Sequence, residues 1–354
     1  MNIRFFTLAV TAILFAACTK IKTSTDSVPS ISDQTSKNIA AAKAPPSAVT
    51  YLTGDGADVT TTPVGGLILM GGGTDVDAAI QWFLQRANGG DVVVIRATGA
   101  DGYNTYMYNM VPVNSVETII IDSRTKAALT SVTDKIRNAE ALFIAGGDQW
   151  DYVNYWKDTP TEDAINYLIN TKHVTVGGTS AGLAIMGSGY YSASSGKSVT
   201  SAEAMGNPYS RNVNLGANDF VASSFLANTI TDSHYTQRDR QGRHVTFMAR
   251  LMKDFGYSTS VKGIGIDEQT AVCIDQNGIG KVFGINNAYF MRSTSLGAET
   301  CISGTSLTWN RSGMAVSTYR IAGSSIGNGS FNATNWTFSG GASYYNYVNS
   351  GTLF

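Results

Sequence analysis

Five short apolar runs, each too brief for a helix, constrain this chain most. They are Leu67-Ile68-Leu69-Met70, Val92-Val93-Val94-Ile95, Thr118-Ile119-Ile120-Ile121, Ala141-Leu142-Phe143-Ile144 and Val174-Thr175-Val176. Continuous rather than alternating hydrophobicity marks strands buried on both faces. Three of the runs lead into glycine: Gly71-Gly72-Gly73, Gly146-Gly147-Asp148 and Gly177-Gly178. Between the runs, Asp75 to Ala87, Lys126 to Asn138 and Asp163 to Ile169 place apolar residues at helical spacing. Strands alternating with helices predict an α/β fold with a mostly parallel sheet and helices on both faces. In such sheets ligands sit beyond the carboxyl ends of the strands, so the glycine turns mark where a site is expected.

Beyond about Gly263 the texture changes. Ala271 to Ile274, Lys281 to Ile285, Ala288 to Met291 and Met314 to Ile321 read as short strands between Asn-, Gly- and Ser-rich turns, and no long helix is legible after Lys253. The last part of the chain is therefore expected to be β-rich, extending the sheet or forming an appended layer. We divide the chain into residues 1–17, 18–50, 51–290 and 291–354: an export signal, a tether, a catalytic α/β domain and a β-rich C-terminal extension.

The first two segments are read as an address. Arg4 precedes the uncharged run Phe5 to Ala17, which is too short to span a bilayer and has the form of a signal peptide. Leu14-Phe15-Ala16-Ala17-Cys18 resembles the lipobox of bacterial lipoproteins, which implies cleavage before Cys18 and acylation there. The expected location is the bacterial envelope, held to the membrane by lipid on its periplasmic or outer side. Ser, Thr, Ala, Pro and Lys dominate the stretch up to Thr50, as in a flexible linker. Cys273 and Cys301 remain, either as a disulfide or as two buried thiols.

Charge excludes one class of partner. With 25 Lys+Arg against 26 Asp+Glu, the chain has no basic surplus to neutralise a phosphate backbone, so a nucleic-acid partner is not expected. The three histidines are scattered in sequence, so no metal site and no cofactor are expected.

Gly178-Thr179-Ser180-Ala181-Gly182 has the G-x-S-x-G form that seats a nucleophilic serine on a tight strand-to-helix turn. A second copy, Gly323-Ser324-Ser325-Ile326-Gly327, lacks a following helix pattern and reads as a turn. Serine needs a general base. His173 leads into the strand before Ser180 and His244 lies in a helical segment, whereas His234 directly follows the possible strand Asn228 to Thr231. Placement therefore favours His234. Arg238, Arg240 and Arg243 follow within nine residues. They are either carboxylate-gripping forks for an anionic substrate group or a solvated helix start paired with Asp239.

Together these motifs resemble the cyanophycinase and peptidase E family, serine peptidases with a class I glutamine-amidotransferase-like (flavodoxin-like) fold. The resemblance runs from Leu67 to about Ile285. It rests on Gly71-Gly72-Gly73, Gly146-Gly147-Asp148-Gln149, the Ser180 elbow, the run Asp232 to Arg243, and Gly263-Ile264-Gly265-Ile266-Asp267-Glu268-Gln269-Thr270-Ala271. It implies Ser180 as nucleophile, His234 as base, and Gln149, Asp232, Ser233, Arg238, Arg240 and Arg243 in contact with substrate. A triad glutamate between the serine and the histidine is also implied, and Glu203 is the one Glu in that interval; Asp219 and Asp232 are rivals for orienting His234. Backbone N–H groups of Ala181 and Gly147 are the implied oxyanion donors. The implied activity is cleavage of β-aspartyl or related acidic peptide amides, and the implied assembly is a homodimer. Cleavage of ordinary α-peptides or esters, or an inactive surface lipoprotein that keeps only the pocket, are the competing readings.

Overall fold

The computed structural model describes residues 46–257, 260–294 and 296–354. The signal segment, Cys18 and nearly all of the tether lie outside the described residues. Those that follow are woven into two sheets.

Five parallel strands form the heart of the first sheet: β2 (Gly66–Met70), β3 (Asp91–Arg96), β4 (Ser115–Ile120), β5 (Ala141–Ile144) and β6 (Thr175–Thr179), in the order β4-β3-β5-β6-β2. β1 (Val49–Gly54) adds antiparallel to β4, so Val49 and Thr50 belong to the sheet and not to the tether. The five apolar runs are these strands. Side-chain alternation sorts them by face: Leu67 and Leu69 point with Ile95, Leu142 and Ile144 to one core cluster, Ile68 and Met70 with Val92, Val94 and Phe143 to the other.

Helices cover both faces. α1 (Asp77–Arg86) and α2 (Asn104–Tyr108) bury Ile80, Phe83 and Met107 on one side. On the other, α3 (Arg124–Ala127), α4 (Thr130–Asn138), α5 (Gln149–Trp156) and α6 (Pro160–Tyr167) bury Ile136, Trp156 and Ile165. The single helix expected from Lys126 to Asn138 is two, broken at Ala128 and Leu129, where Leu129 is extended.

The second sheet was not separable in the sequence. It contains β7 (Gly189–Tyr191), β8 (Leu215–Ala217), β9 (Thr229–Asp232) and β10 (Lys262–Ile266), with β9 and β10 parallel. Short α7 (Ala181–Ala184) leads from the first sheet toward it. α8 (Ser201–Gly206) and α9 (Gln241–Asp254) pack on it through Ala204, Val245, Phe247, Met248 and Leu251.

The C-terminal strands divide between the sheets. β11 (Thr270–Asp275), β12 (Ile279–Gly284), β15 (Asn328–Asn332) and β16 (Thr337–Ser339) extend the first beyond β2, while β13 (Asn287–Ser293), β14 (Val316–Ala322) and β17 (Ala342–Asn346) extend the second beyond β10. The boundary drawn at residue 290 falls inside β13. Residues 291–354 thus complete two existing sheets rather than form a separate layer.

Cys273 lies on β11, beside β2, and packs into the core on the α1 side, and Cys301 lies in the core of the second sheet; both are free, buried thiols. Among the described residues no helix is long and apolar enough to cross a membrane.

Candidate functional site

Ser180 stands where β6 ends and α7 begins, with φ 54° and ψ −110°. A non-glycine residue at positive φ is strained and needs its surroundings to hold it. Those surroundings are glycines. A Cβ on Gly178 would lie 2.0 Å from the carbonyl oxygen of Ile144, and one on Gly182 would lie 2.1 Å from the same atom. Both glycines of the motif are thus required by the close approach of the elbow to β5. Ser325, in the second G-x-S-x-G, lies in the turn between β14 and β15.

His234 is delivered from the other sheet, two residues past β9, and also has positive φ (46°). Its Nε2 is 2.8 Å from Ser180 Oγ. Its Nδ1 is 2.6 Å from Glu268 Oε1. A carboxylate only accepts hydrogen bonds, so Nδ1 carries the proton and the neutral Nε2 accepts from the serine hydroxyl. Burial lowers the His234 pKa from its usual value; the bond to Glu268 opposes this, and the nearby Arg238 and Arg240 reinforce it. The imidazole is therefore a neutral base at neutral pH.

Strand register explains why Glu268 is the partner. Asp232 of β9 pairs with Gly265 of β10, so the residues just past the two strand ends meet. This corrects the expectation for Glu203. Its Oε1 accepts from Ser210 Oγ at 2.6 Å and Asn212 Nδ2 at 2.8 Å, pinning the segment after α8. Asp219, one rival, bonds Tyr190 and Lys157. Glu268 belongs to the Gly263–Ala271 motif, but nothing in that motif marks it as the partner of His234; the pairing of β9 with β10 does.

The arginine run also divides. Arg243 is 1 % exposed, and its Nε and Nη2 donate to Asp232 Oδ2 and Oδ1 at 2.8 and 2.7 Å, with further bonds to Ser198 and Val199. Burial raises the Asp232 pKa, but Arg243 and Arg240 outweigh it and hold the carboxyl below its usual range. Asp232 and Arg243 therefore bond each other inside the protein and are not placed to touch substrate. Ser233 is buried too, receiving Arg240 Nη1 at its carbonyl (3.0 Å) and its hydroxyl (3.2 Å). Burial pushes the Arg240 pKa down to about 10, which leaves it cationic at neutral pH. Arg238 is more than half exposed and lies 3.8 Å from Glu268, beside the reactive pair. Gln149 opens α5, and its Nε2 donates to the Tyr191 carbonyl at 3.0 Å.

The remaining surface of the site is backbone. A Cβ on Gly146 would stand 3.5 Å from Ser180 Cβ, so the turn carrying Gly147 abuts the elbow. Ala181 is the first residue of α7, where an N–H has no acceptor within the helix. These are the two expected oxyanion donors. Gly72, at φ +93°, lies against the imidazole: a Cβ there would come within 2.4 Å of His234 Cε1. Beside it a cavity of about 400 Å³ opens between the ends of β2 and β3, lined by Thr74, Asp75, Asp77, Arg96, Tyr103 and Tyr106. His173 is exposed, and His244 is buried with Nε2 near the Ile230 carbonyl and its pKa lowered by burial to about 4.

The chain is similar in sequence to known proteins over its α/β region. Cyanophycinase of Trichormus variabilis is 26% identical over 181 residues, 51% of this chain and 54% of that protein. Cyanophycinase of Geminocystis herdmanii is 30% identical over 149 residues, 42% of this chain and 48% of its own length. The chain thus spans about half the length of the curated relatives it matches. A peptidase from an acI-B1 Actinobacterium aligns in structure with a TM-score of 0.47 at 14% identity, covering 68% of this chain and 98% of that one. The model of peptidase family S51 matches residues 67–282, which is more than half the chain and spans every residue from the first glycine turn to Glu268; the protein belongs to peptidase family S51.

Proposed function

We propose that the protein is a serine peptidase of the cyanophycinase type that hydrolyses a peptide amide next to an acidic group through an acyl-enzyme. The observation that carries the reading is the continuous hydrogen-bonded line from Ser180 Oγ through His234 to Glu268. As Ser180 Oγ attacks the carbonyl carbon, its proton passes to His234 Nε2, and Glu268 stabilises the imidazolium that forms. The oxyanion is held by the N–H groups of Ala181 and Gly147, each donor contributing about 3 kcal/mol in comparable sites. His234 then returns the proton to the leaving amine. Water enters, gives its proton to His234 and cleaves the ester, restoring Ser180.

Arg238, beside Glu268, and Arg240, bonded to Ser233, supply the positive charge next to His234. Arg240 is held by Nη1 alone among its bonded atoms, so the rest of the fork is available to a substrate carboxylate. Because Asp232 and Arg243 are spent on each other, anion recognition in this reading rests on two guanidinium groups rather than three.

The test is product release from β-aspartyl-arginine and its α-linked counterpart. Cleavage of the β-linked compound is expected, abolished by Ser180→Ala. Arg240→Ala should raise KM about tenfold or more, the scale of one charged hydrogen bond. Preference for the α-linked compound, with Arg240→Ala silent, would favour hydrolysis of ordinary peptides instead. Cleavage that survives Ser180→Ala would remove the elbow from the mechanism.

A further inference from the structure

We propose that Asp267 is a positioning residue that holds His234 against Glu268, and that through it the strands beyond the family-matched segment brace the reacting pair. The inference rests on the proposed peptidase reading. Asp267 ends the β10 side of the site, directly before Glu268, and is 1 % exposed.

Its carboxylate accepts from Thr236 on one side and Asn287 on the other, with the Tyr289 side chain against it. Oδ1 accepts from the backbone N–H of Thr236 at 2.9 Å and from its hydroxyl at 2.7 Å. Oδ2 accepts from Asn287 N at 3.1 Å and Asn287 Nδ2 at 3.4 Å. Thr236 is two residues beyond His234, and Asn287 opens β13, beyond residue 282 where the family match ends. One buried group therefore ties the histidine loop to a strand of the C-terminal region.

The loop needs such a tie. His234 sits at positive φ, a conformation that persists only when its surroundings over-determine it. Other fastenings hold the histidine loop to the turn after β2 and to the end of β10: His234 N donates to Gly71 O at 2.7 Å, Tyr235 N to Ile266 O at 3.2 Å, and Glu268 N to Gln237 Oε1 at 2.9 Å. Gly71 has no room to yield, since a Cβ there would lie 2.0 Å from the Asp267 carbonyl oxygen. The bonds that Asp267 accepts from Thr236 and Asn287 are made by a side chain with no catalytic contact of its own, so a substitution there leaves Ser180, His234 and Glu268 in the chain.

The experiment follows the rate of phosphonylation of Ser180 by a fluorophosphonate across pH, which needs no knowledge of the natural substrate. It compares wild type, Asp267→Asn, Thr236→Val, Glu268→Gln and the double variant Asp267→Asn/Glu268→Gln. Asp267→Asn should slow labelling about tenfold or more, as loss of a supporting contact commonly does. Thr236→Val should act in the same direction and less. The acid limb should move to lower pH, because the loosened Glu268 bond no longer holds the proton affinity of His234 up. In the Glu268→Gln background, Asp267→Asn should add less than about twofold, since two residues acting through one contact are not additive.

A folded Asp267→Asn protein that labels at the wild-type rate, or equal slowing with and without Glu268, would overturn the proposal. If Asp267→Asn does not fold, Thr236→Val is judged by the same criteria. The His234 Nδ1–H resonance, followed by NMR, is the second readout: it should broaden and exchange faster in either variant, and an unchanged resonance also overturns the proposal. Absence of labelling in wild type would instead count against the peptidase reading, while the resonance would still report on Asp267.

Discussion

Three side chains from distant parts of the chain form the site, and each is fixed by a different local cause. Ser180 is fixed by a strained elbow between glycines, His234 by a strained loop, and Glu268 by the register of β9 on β10. The first two were legible because a nucleophile leaves a pattern in sequence and because a chain with three histidines offers few bases. Glu268 was not, because its partnership depends on strand pairing. Arg243 and Asp232 were misread for a related reason: sequence shows charge, and only packing shows whether the charge faces water, substrate or another buried charge. Since burial lowers the His234 pKa, the imidazole stays neutral to below its ordinary 6.5 and protonates only under that value. The acid limb of kcat/KM, which reports the free enzyme, should accordingly lie below pH 6.5. A pH–rate profile with its limb above that value would contradict the balance of burial and Glu268.

At the level of elements, continuous apolar runs identified the parallel strands of the first sheet, and glycine marked their carboxyl ends. The second sheet was hidden because its β7, β8 and β9 are only three or four residues long, and a three-residue strand such as β7 carries too little pattern to distinguish it from a loop. The fate of the C-terminal strands was also open, since alternation says which face is buried without saying against what. In the structure, β14 covers the edge of β13 and β15 the edge of β12. Phe331 of β15 stacks on Phe290 of β13, with ring centroids 4.4 Å apart, and Trp336 packs edge-on to it. Burying such side chains contributes about 1.5–3 kcal/mol each. A chain stopped after Thr294 would expose two sheet edges and strip Phe290 of the aromatic rings that cover it, and exposed edges pair with other chains. Such a chain should aggregate or lose its cooperative thermal transition in calorimetry; a monomer with an unchanged melting temperature would show the strands to be dispensable.

For the whole molecule, the two sheets have separate tasks. The first sheet presents Ser180 and the Gly147 turn; the second presents His234, Glu268 and the arginines, with β13 behind them. Fold class and the region of the site follow from periodicity and glycine placement, whereas the division of labour between sheets emerges only in three dimensions. Ser180, His234 and Glu268 are proposed to act as one unit from which Glu203 stands apart. Turnover of the β-linked dipeptide by Glu268→Gln and Glu203→Gln, measured side by side, separates the two carboxylates. Glu268→Gln should lower kcat by a factor on the order of 10³–10⁴, as loss of the orienting carboxylate does in serine triads, with Glu203→Gln within about twofold of wild type. The reverse ranking would contradict the account.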